Sequence, residues 1–80
     1  MQKINITSLI EELWFDYILF GESICEINID NAFNVVVNIL SPINNSFKSY
    51  LYKENCLSIE EAQVHKTYLS QAIQKSFNVG

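Results

Sequence analysis

The sequence has no arginine, a single histidine, two cysteines, one proline and two glycines in 80 residues. Each scarcity excludes something. Two Cys and one His are too few for a disulfide framework or for a zinc site of ordinary type, so neither a metal nor any other cofactor is expected. The basic residues, Lys3, Lys48, Lys53, Lys66 and Lys75, are scattered and outnumbered, and the net charge is −4. A surface of that sign is a poor ligand for phosphates, so direct nucleic-acid binding is not expected. No hydrophobic run reaches the roughly 18 residues of a membrane span. The most apolar early stretch, Leu9–Phe20, is interrupted by Glu11, Glu12 and Asp16, and it has no secretory pattern. The expectation is a soluble, cytoplasmic chain with reduced thiols and no membrane partner. No catalytic motif and no phosphate-binding loop is present, so an enzyme is not expected.

What the sequence does have is a hydrophobic fraction of 49% against 18% charged residues, the composition of one packed domain spanning residues 1–80. A domain this small buries only about 60% of its unfolded surface. With no disulfide or metal to supplement the core, a second subunit is the natural supplement, and a homodimer is expected.

Ser23–Leu40 carries the clearest pattern. Cys25, Ile27 and Ile29 alternate with Glu26, Asn28 and Asp30. After an Asp30-Asn31-Ala32 turn, Phe33, Val35, Val37 and Ile39 alternate with Asn34, Val36, Asn38 and Leu40. Period-two alternation rich in β-branched residues predicts a half-buried antiparallel hairpin. Cys25 falls on its buried side, where a free thiol acts as a small hydrophobe. Val36 and Leu40 interrupt the polar side and mark a place where something can dock. A turn-rich segment, Ser41–Ser46, leads to Phe47–Lys53, read as a third strand at the sheet edge. There Phe47 and Leu51 are expected inward, and Lys48, Tyr50 and Tyr52 outward. Outward Tyr offers area with a polar tip, as interfaces use it.

Helices are predicted on either side. Ser8-Leu-Ile-Glu11 fits a capping box and Gly21 a C-terminal stop, giving a helix over Ser8–Phe20. Its core arc contains Leu9, Ile10, Leu13, Trp14, Tyr17 and Phe20, with Ile18 at the edge. Phe15 and Leu19, one turn apart, lie among carboxylates on the other side, an apolar pair suited to a dimer or partner contact. Ser58-Ile-Glu-Glu61 is a second capping box, opening a helix over Ile59–Phe77. Its core arc contains Ile59, Ala62, Leu69, Ala72, Ile73 and Phe77. His65 falls within that arc, read as a packed residue without a catalytic set. Val64 and Tyr68 form a smaller apolar pair. The order is α-β-β-β-α, an α+β fold with two helices on one face of a three-stranded antiparallel sheet. The competing arrangement is an all-α bundle with helices at Asn31–Leu40 and Pro42–Lys53.

Three resemblances meet at these residues. Helix Leu9–Phe20 followed by Cys25-Glu-Ile-Asn-Ile-Asp30 resembles the opening of the class I chaperones of type III secretion systems, whose members usually continue with further strands and a third helix. The resemblance implies an acidic cytosolic homodimer that holds a secreted protein partly unfolded, without catalysis. The α-β-β-β-α order is similar to the double-stranded-RNA-binding fold. RNA-binding members carry lysines where this chain has Ser58-Ile-Glu-Glu61, and glutamates there repel phosphate. His65–Phe77 looks like the recognition helix of AraC-type regulators, but the preceding helix, Ile59–Val64, is too short for the motif. The functional expectation is a non-enzymatic interaction module, a chaperone or adaptor. Its contact candidates are Phe15, Leu19, Val36, Tyr50 and Tyr52. The alternative is a small acidic inhibitor from a phage or mobile element, presenting nucleic-acid-like charge through Glu26, Asn28, Asp30, Asn34 and Asn38.

Overall fold

A computed structural model describes residues 1–78. The chain is α+β, and the all-α arrangement is excluded. It runs β1 (Gln2–Lys3), α1 (Ile6–Phe20), β2 (Ile24–Ile29), β3 (Val35–Leu40), β4 (Phe47–Lys53) and α2 (Ile59–Phe77). The expected α-β-β-β-α order is present, preceded by a short strand that the sequence pattern did not reveal. The sheet is therefore four-stranded and mixed, in the order β1-β4-β3-β2, with β1 parallel to β4 and the other pairs antiparallel. Two residues are too short to show alternation. What holds β1 in place is pairing: Gln2 and Lys3 lie opposite Tyr50 and Leu51, and the Ile4 amide donates to the Leu51 carbonyl at 3.0 Å.

Both helices cover the same face of the sheet. Leu9 and Leu13 of α1, Val37 and Ile39 of β3 and Leu69 of α2 form one buried cluster, with Cys25, Ile27, Tyr50, Ile73 and Phe77 packed around it. The Cα atoms span 15 Å in the thinnest direction, the depth of two layers. The opposite sheet face thus has no layer upon it. At the far end Val35, Cys56 and Ala62 make a second small cluster.

Local chemistry sets the boundaries. The N-cap of α1 is Asn5, whose Oδ1 accepts from the Ser8 amide at 2.8 Å, so the expected Ser8 cap lies inside the helix. Gly21, in the left-handed conformation at φ 76°, ends it by donating to the Tyr17 carbonyl. Ser58 caps α2 as expected, its Oγ accepting from the Glu61 amide. The Glu61 carboxylate reaches past it to the Leu57 amide at 2.6 Å. Because α2 is one unbroken helix over Ile59–Phe77, it contains no helix-turn-helix.

At the hairpin tip the Asp30 carboxylate accepts from the amides of Ala32 and Asn34 and from the Asn34 side chain. These bonds, led by the Asn34 amide, hold its carboxyl below the usual range. They also extend the turn through Phe33, which takes a left-handed conformation at φ 59°. Phe33 is therefore not an inward strand residue; β3 begins at Val35.

The largest correction concerns β4. Lys48 lies opposite Ile39 and Tyr50 opposite Val37, both inner-face residues. A register shift at Val35/Val36 follows, and Tyr52 also packs on the core. Hence Lys48, Tyr50 and Tyr52 face the helices, and Phe47, Ser49 and Leu51 face the open side. The segment has apolar bulk on both parities, and register decides which is buried. Nor is β4 an edge strand where β1 pairs with it.

Candidate protein-binding surface

The second half of α1 leaves a run of large apolar side chains exposed. Phe15, Ile18 and Leu19 are 62%, 74% and 56% exposed, and Tyr17 and Phe20 are also partly in solvent. Phe15 and Leu19 were expected outward; Tyr17 and Phe20 were expected to be covered. Leu9 and Leu13 are the α1 side chains buried in the core, and none of the helix residues after Leu13 is buried. A helix apolar around its circumference belongs in an interior, so an uncovered one signals a missing partner.

Grooves run along both sides of this helix end. One, of about 290 Å³, lies between α1 and the β3–β4 connection; Phe15, Leu19, Phe20, Pro42 and Ile43 form its apolar wall. Its rim is polar and mainly acidic, with Glu12, Asp16 and Lys48. Lys48 Nζ donates to Glu12 Oε1 at 3.1 Å, and the Tyr50 hydroxyl donates to the same oxygen at 3.2 Å. The bond to Glu12 raises the Lys48 pKa, and burial followed by the Glu12 charge raises that of Tyr50. The only lysine at this groove is thus tied to its own carboxylate, and Asp16 is left to set the sign.

The other groove, of about 470 Å³, opens between α1 and α2. Its walls include Leu13, Tyr17, Cys25, Ile73 and Phe77, and its floor holds the Ser23 hydroxyl, buried without a protein partner. Trp14 backs the Phe77 wall. Its ring stacks on Phe77 at a centroid distance of 4.7 Å, and its Nε1–H donates to Ser76 Oγ at 2.9 Å. Burial, with the Glu26 charge second, pushes the Cys25 thiol up to about 11, so it is an unreactive apolar wall at neutral pH.

The remaining candidates are placed differently. Tyr50 and Tyr52 are half-buried against the helices and do not present their rings outward. Val36 does lie on the open sheet face, opposite Asn28 and Leu51, but is only 9% exposed. Leu40, expected with Val36 to interrupt the polar side, lies in an apolar row on that face that the sequence pattern did not complete: Ile24, Leu40 and Phe47 lie opposite one another across β2, β3 and β4. The row depends on cross-strand register and on the parity of Phe47, which no local pattern states. Val64 and Tyr68 of α2 are exposed, in a shallow depression otherwise lined by polar side chains.

The fold also brings together three residues that the sequence reading kept apart. Cys56 Sγ, a Glu61 carboxylate oxygen and a His65 ring nitrogen all lie within 4.8 Å of one another. Counting residue types could not find this cluster. The spacing could, because Glu61 and His65 are one helical turn apart and Cys56 lies two residues before the Ser58 cap of that helix.

Comparison with family models, with characterised proteins and with solved structures returns no match. Among the described residues no helix is long and apolar enough to cross a membrane. The class that fold and surface define is a two-layer α+β module with an uncovered apolar helix end.

Proposed function

We infer that the chain is a non-enzymatic protein-interaction module, a chaperone or adaptor in the manner of class I type III secretion chaperones. The observation that carries this is the apolar, two-grooved end of α1. Its occupant is an apolar segment of another protein with basic flanks. Phe15 and Leu19 supply contacts one turn apart, and Asp16 supplies an acidic border. Two copies of this surface face to face would set Asp16 and its neighbours against their own kind, so a hetero-partner fits it better than a second copy.

The homodimer reading rests on a different place. The Ile24, Leu40 and Phe47 row lies on the sheet face that no helix covers, and it can meet its own copy across a two-fold axis. The charge-mimic reading is weaker there. Apolar side chains separate the polar ones on that face, and Glu26 is its only carboxylate on β2, β3 or β4.

The test is a pull-down from the native host read by mass spectrometry. The wild type is compared with Phe15→Ser/Leu19→Ser and with Val64→Ser/Tyr68→Ser. A partner retained by the α2 variant and weakened about 10- to 100-fold in the α1 variant supports the reading. A partner that both variants hold equally well overturns the assignment of α1. Affinity that collapses with salt favours charge mimicry. Light scattering on wild type and Phe47→Ser reads the dimer, and a monomer at high concentration removes it.

A further inference from the structure

We propose that Cys56, Glu61 and His65 form a zinc-binding site at the junction of the β4–α2 connection and the first turns of α2. The donor set is chemically coherent: a thiolate, an imidazole and a carboxylate are the ligands zinc takes, and three protein ligands plus water make its usual open tetrahedron.

The geometry is close to that need. The three donor atoms lie within 4.8 Å of one another. Zinc–ligand bonds of about 2.0–2.3 Å place tetrahedral donors about 3.4–3.6 Å apart. The difference is roughly 1 Å, within reach of side-chain rotation. His65 and Glu61 have that freedom, since their side chains are 33% and 39% exposed, whereas Cys56 is fixed in the second core cluster at 6%. The thiol thus sits beneath two adjustable ligands, with solvent above for the fourth position.

The surroundings support the carboxylate as a ligand. Glu61 Oε2 already accepts from the Leu57 amide at 2.6 Å, which orients the group and leaves Oε1 toward His65 Nε2 at 4.0 Å. A hydrogen bond to a ligating carboxylate is the outer-shell support that metal sites use. The competing account is a cap plus an ordinary one-turn Glu–His pair. That account explains the Glu61 and His65 pair and treats Cys56 as core filling; it does not call for all three donor atoms to converge within 4.8 Å. On binding, the Cys56 S–H bond is replaced by S–Zn and its proton passes to solvent. The ion clips the connection after β4 to α2.

The full-length reduced chain is titrated with zinc alone and, separately, with Co²⁺ as a spectroscopic substitute. The expected result is one equivalent of zinc and, for cobalt, a near-ultraviolet thiolate charge-transfer band with tetrahedral visible bands. Cys25→Ser keeps these spectra. His65→Ala, a part-exposed change that leaves the fold intact by circular dichroism, weakens zinc binding at least tenfold. Cys56→Ser abolishes the thiolate band. Absence of the band in the wild type overturns the proposal. So does a band that survives in Cys56→Ser, or zinc affinity unchanged in His65→Ala.

Discussion

The two helices do the same work for the core and face the solvent in opposite ways. α1 contributes Leu9 and Leu13 to the interior, and α2 contributes Ala62 and Leu69. Beyond that the likeness ends. α2 has Glu60 and Glu61 in its first turn and Lys75 in its last, matched to its dipole, and a mainly polar exposed side that also carries Val64 and Tyr68. α1 has neither acidic residues in its first turn nor basic ones in its last, and it ends in Tyr-Ile-Leu-Phe with Ile18 and Leu19 largely in solvent and Tyr17 and Phe20 partly so. A helix needs an amphipathic stripe to dock on a sheet, and α2 has little more than that. The apolar surface of α1 exceeds what docking uses, and the excess lies at one end. That contrast separates the residues that hold the fold from those available to something else.

The sharpest way to break the comparison is to truncate the core from each side. Leu13→Ala and Leu69→Ala are each expected to cost about 3 kcal/mol, because both side chains are fully enclosed and neither site can collapse freely. In a domain whose total stability is on the order of 5 kcal/mol, each variant sits close to unfolding at room temperature. Urea titration followed by circular dichroism measures both. A much smaller loss for Leu13→Ala means that α1 is loosely docked, and its exposed end then has a trivial explanation.

Legibility in the sequence follows the same division. The hairpin β2–β3, the strand at Phe47–Lys53 and the helix Ile59–Phe77 were readable, because alternation and caps are local signals. Phe15 and Leu19 were readable as outward because they share a helix face with carboxylates. Three things were not. β1 exists only by pairing with β4. The inward turn of Tyr50 and Tyr52 depends on register with Val37, which no local pattern states. The exposure of Tyr17 and Phe20 depends on how far along α1 the buried core cluster reaches, which no local pattern states. The cluster of Cys56, Glu61 and His65 lies between these cases. Its helical half is a matter of spacing, and its cysteine is brought in by the loop.

Alkaline titration probes the tie between α1 and the sheet. Lys48, Tyr50 and Cys25 all have pKa values raised in the folded chain. For each, the folded state holds its proton more firmly than the unfolded state, so stability falls as pH rises through the raised values. Cys25 sets the start of the window, since its folded value is about 11 against an ordinary 9.0. That displacement corresponds to at most a figure on the order of 3 kcal/mol. The exposed Lys48 adds little after solvent screening. Urea midpoints are expected to hold from neutral pH to about 9 and to decline between roughly 9 and 11. Cys25→Ala flattens the first part of the decline. Fluorescence of Trp14, the only tryptophan, reports whether the α1–α2 junction opens at the same time. A midpoint that rises over this range contradicts the sign.

The smallest effect on stability separates the two exteriors most directly. Phe15→Ser/Leu19→Ser and Val64→Ser/Tyr68→Ser each remove two exposed side chains from a helix. Neither pair belongs to a buried cluster, so each double variant is expected within about 0.5 kcal/mol of wild type per site. The pairs differ in setting. The α1 pair lines a groove whose apolar wall continues through Phe20, Pro42 and Ile43, whereas the α2 pair lies among Glu60, Gln63, Thr67 and Gln71. An environment-sensitive hydrophobic dye such as bis-ANS should therefore lose most of its binding in the α1 variant and little in the α2 variant, at unchanged circular dichroism. Equal loss in both makes the α1 end ordinary exposed surface. Unequal loss with a large drop in stability of the α1 variant means that those side chains serve the fold. Only unequal dye binding at equal stability leaves Phe15 and Leu19 as surface held for a partner.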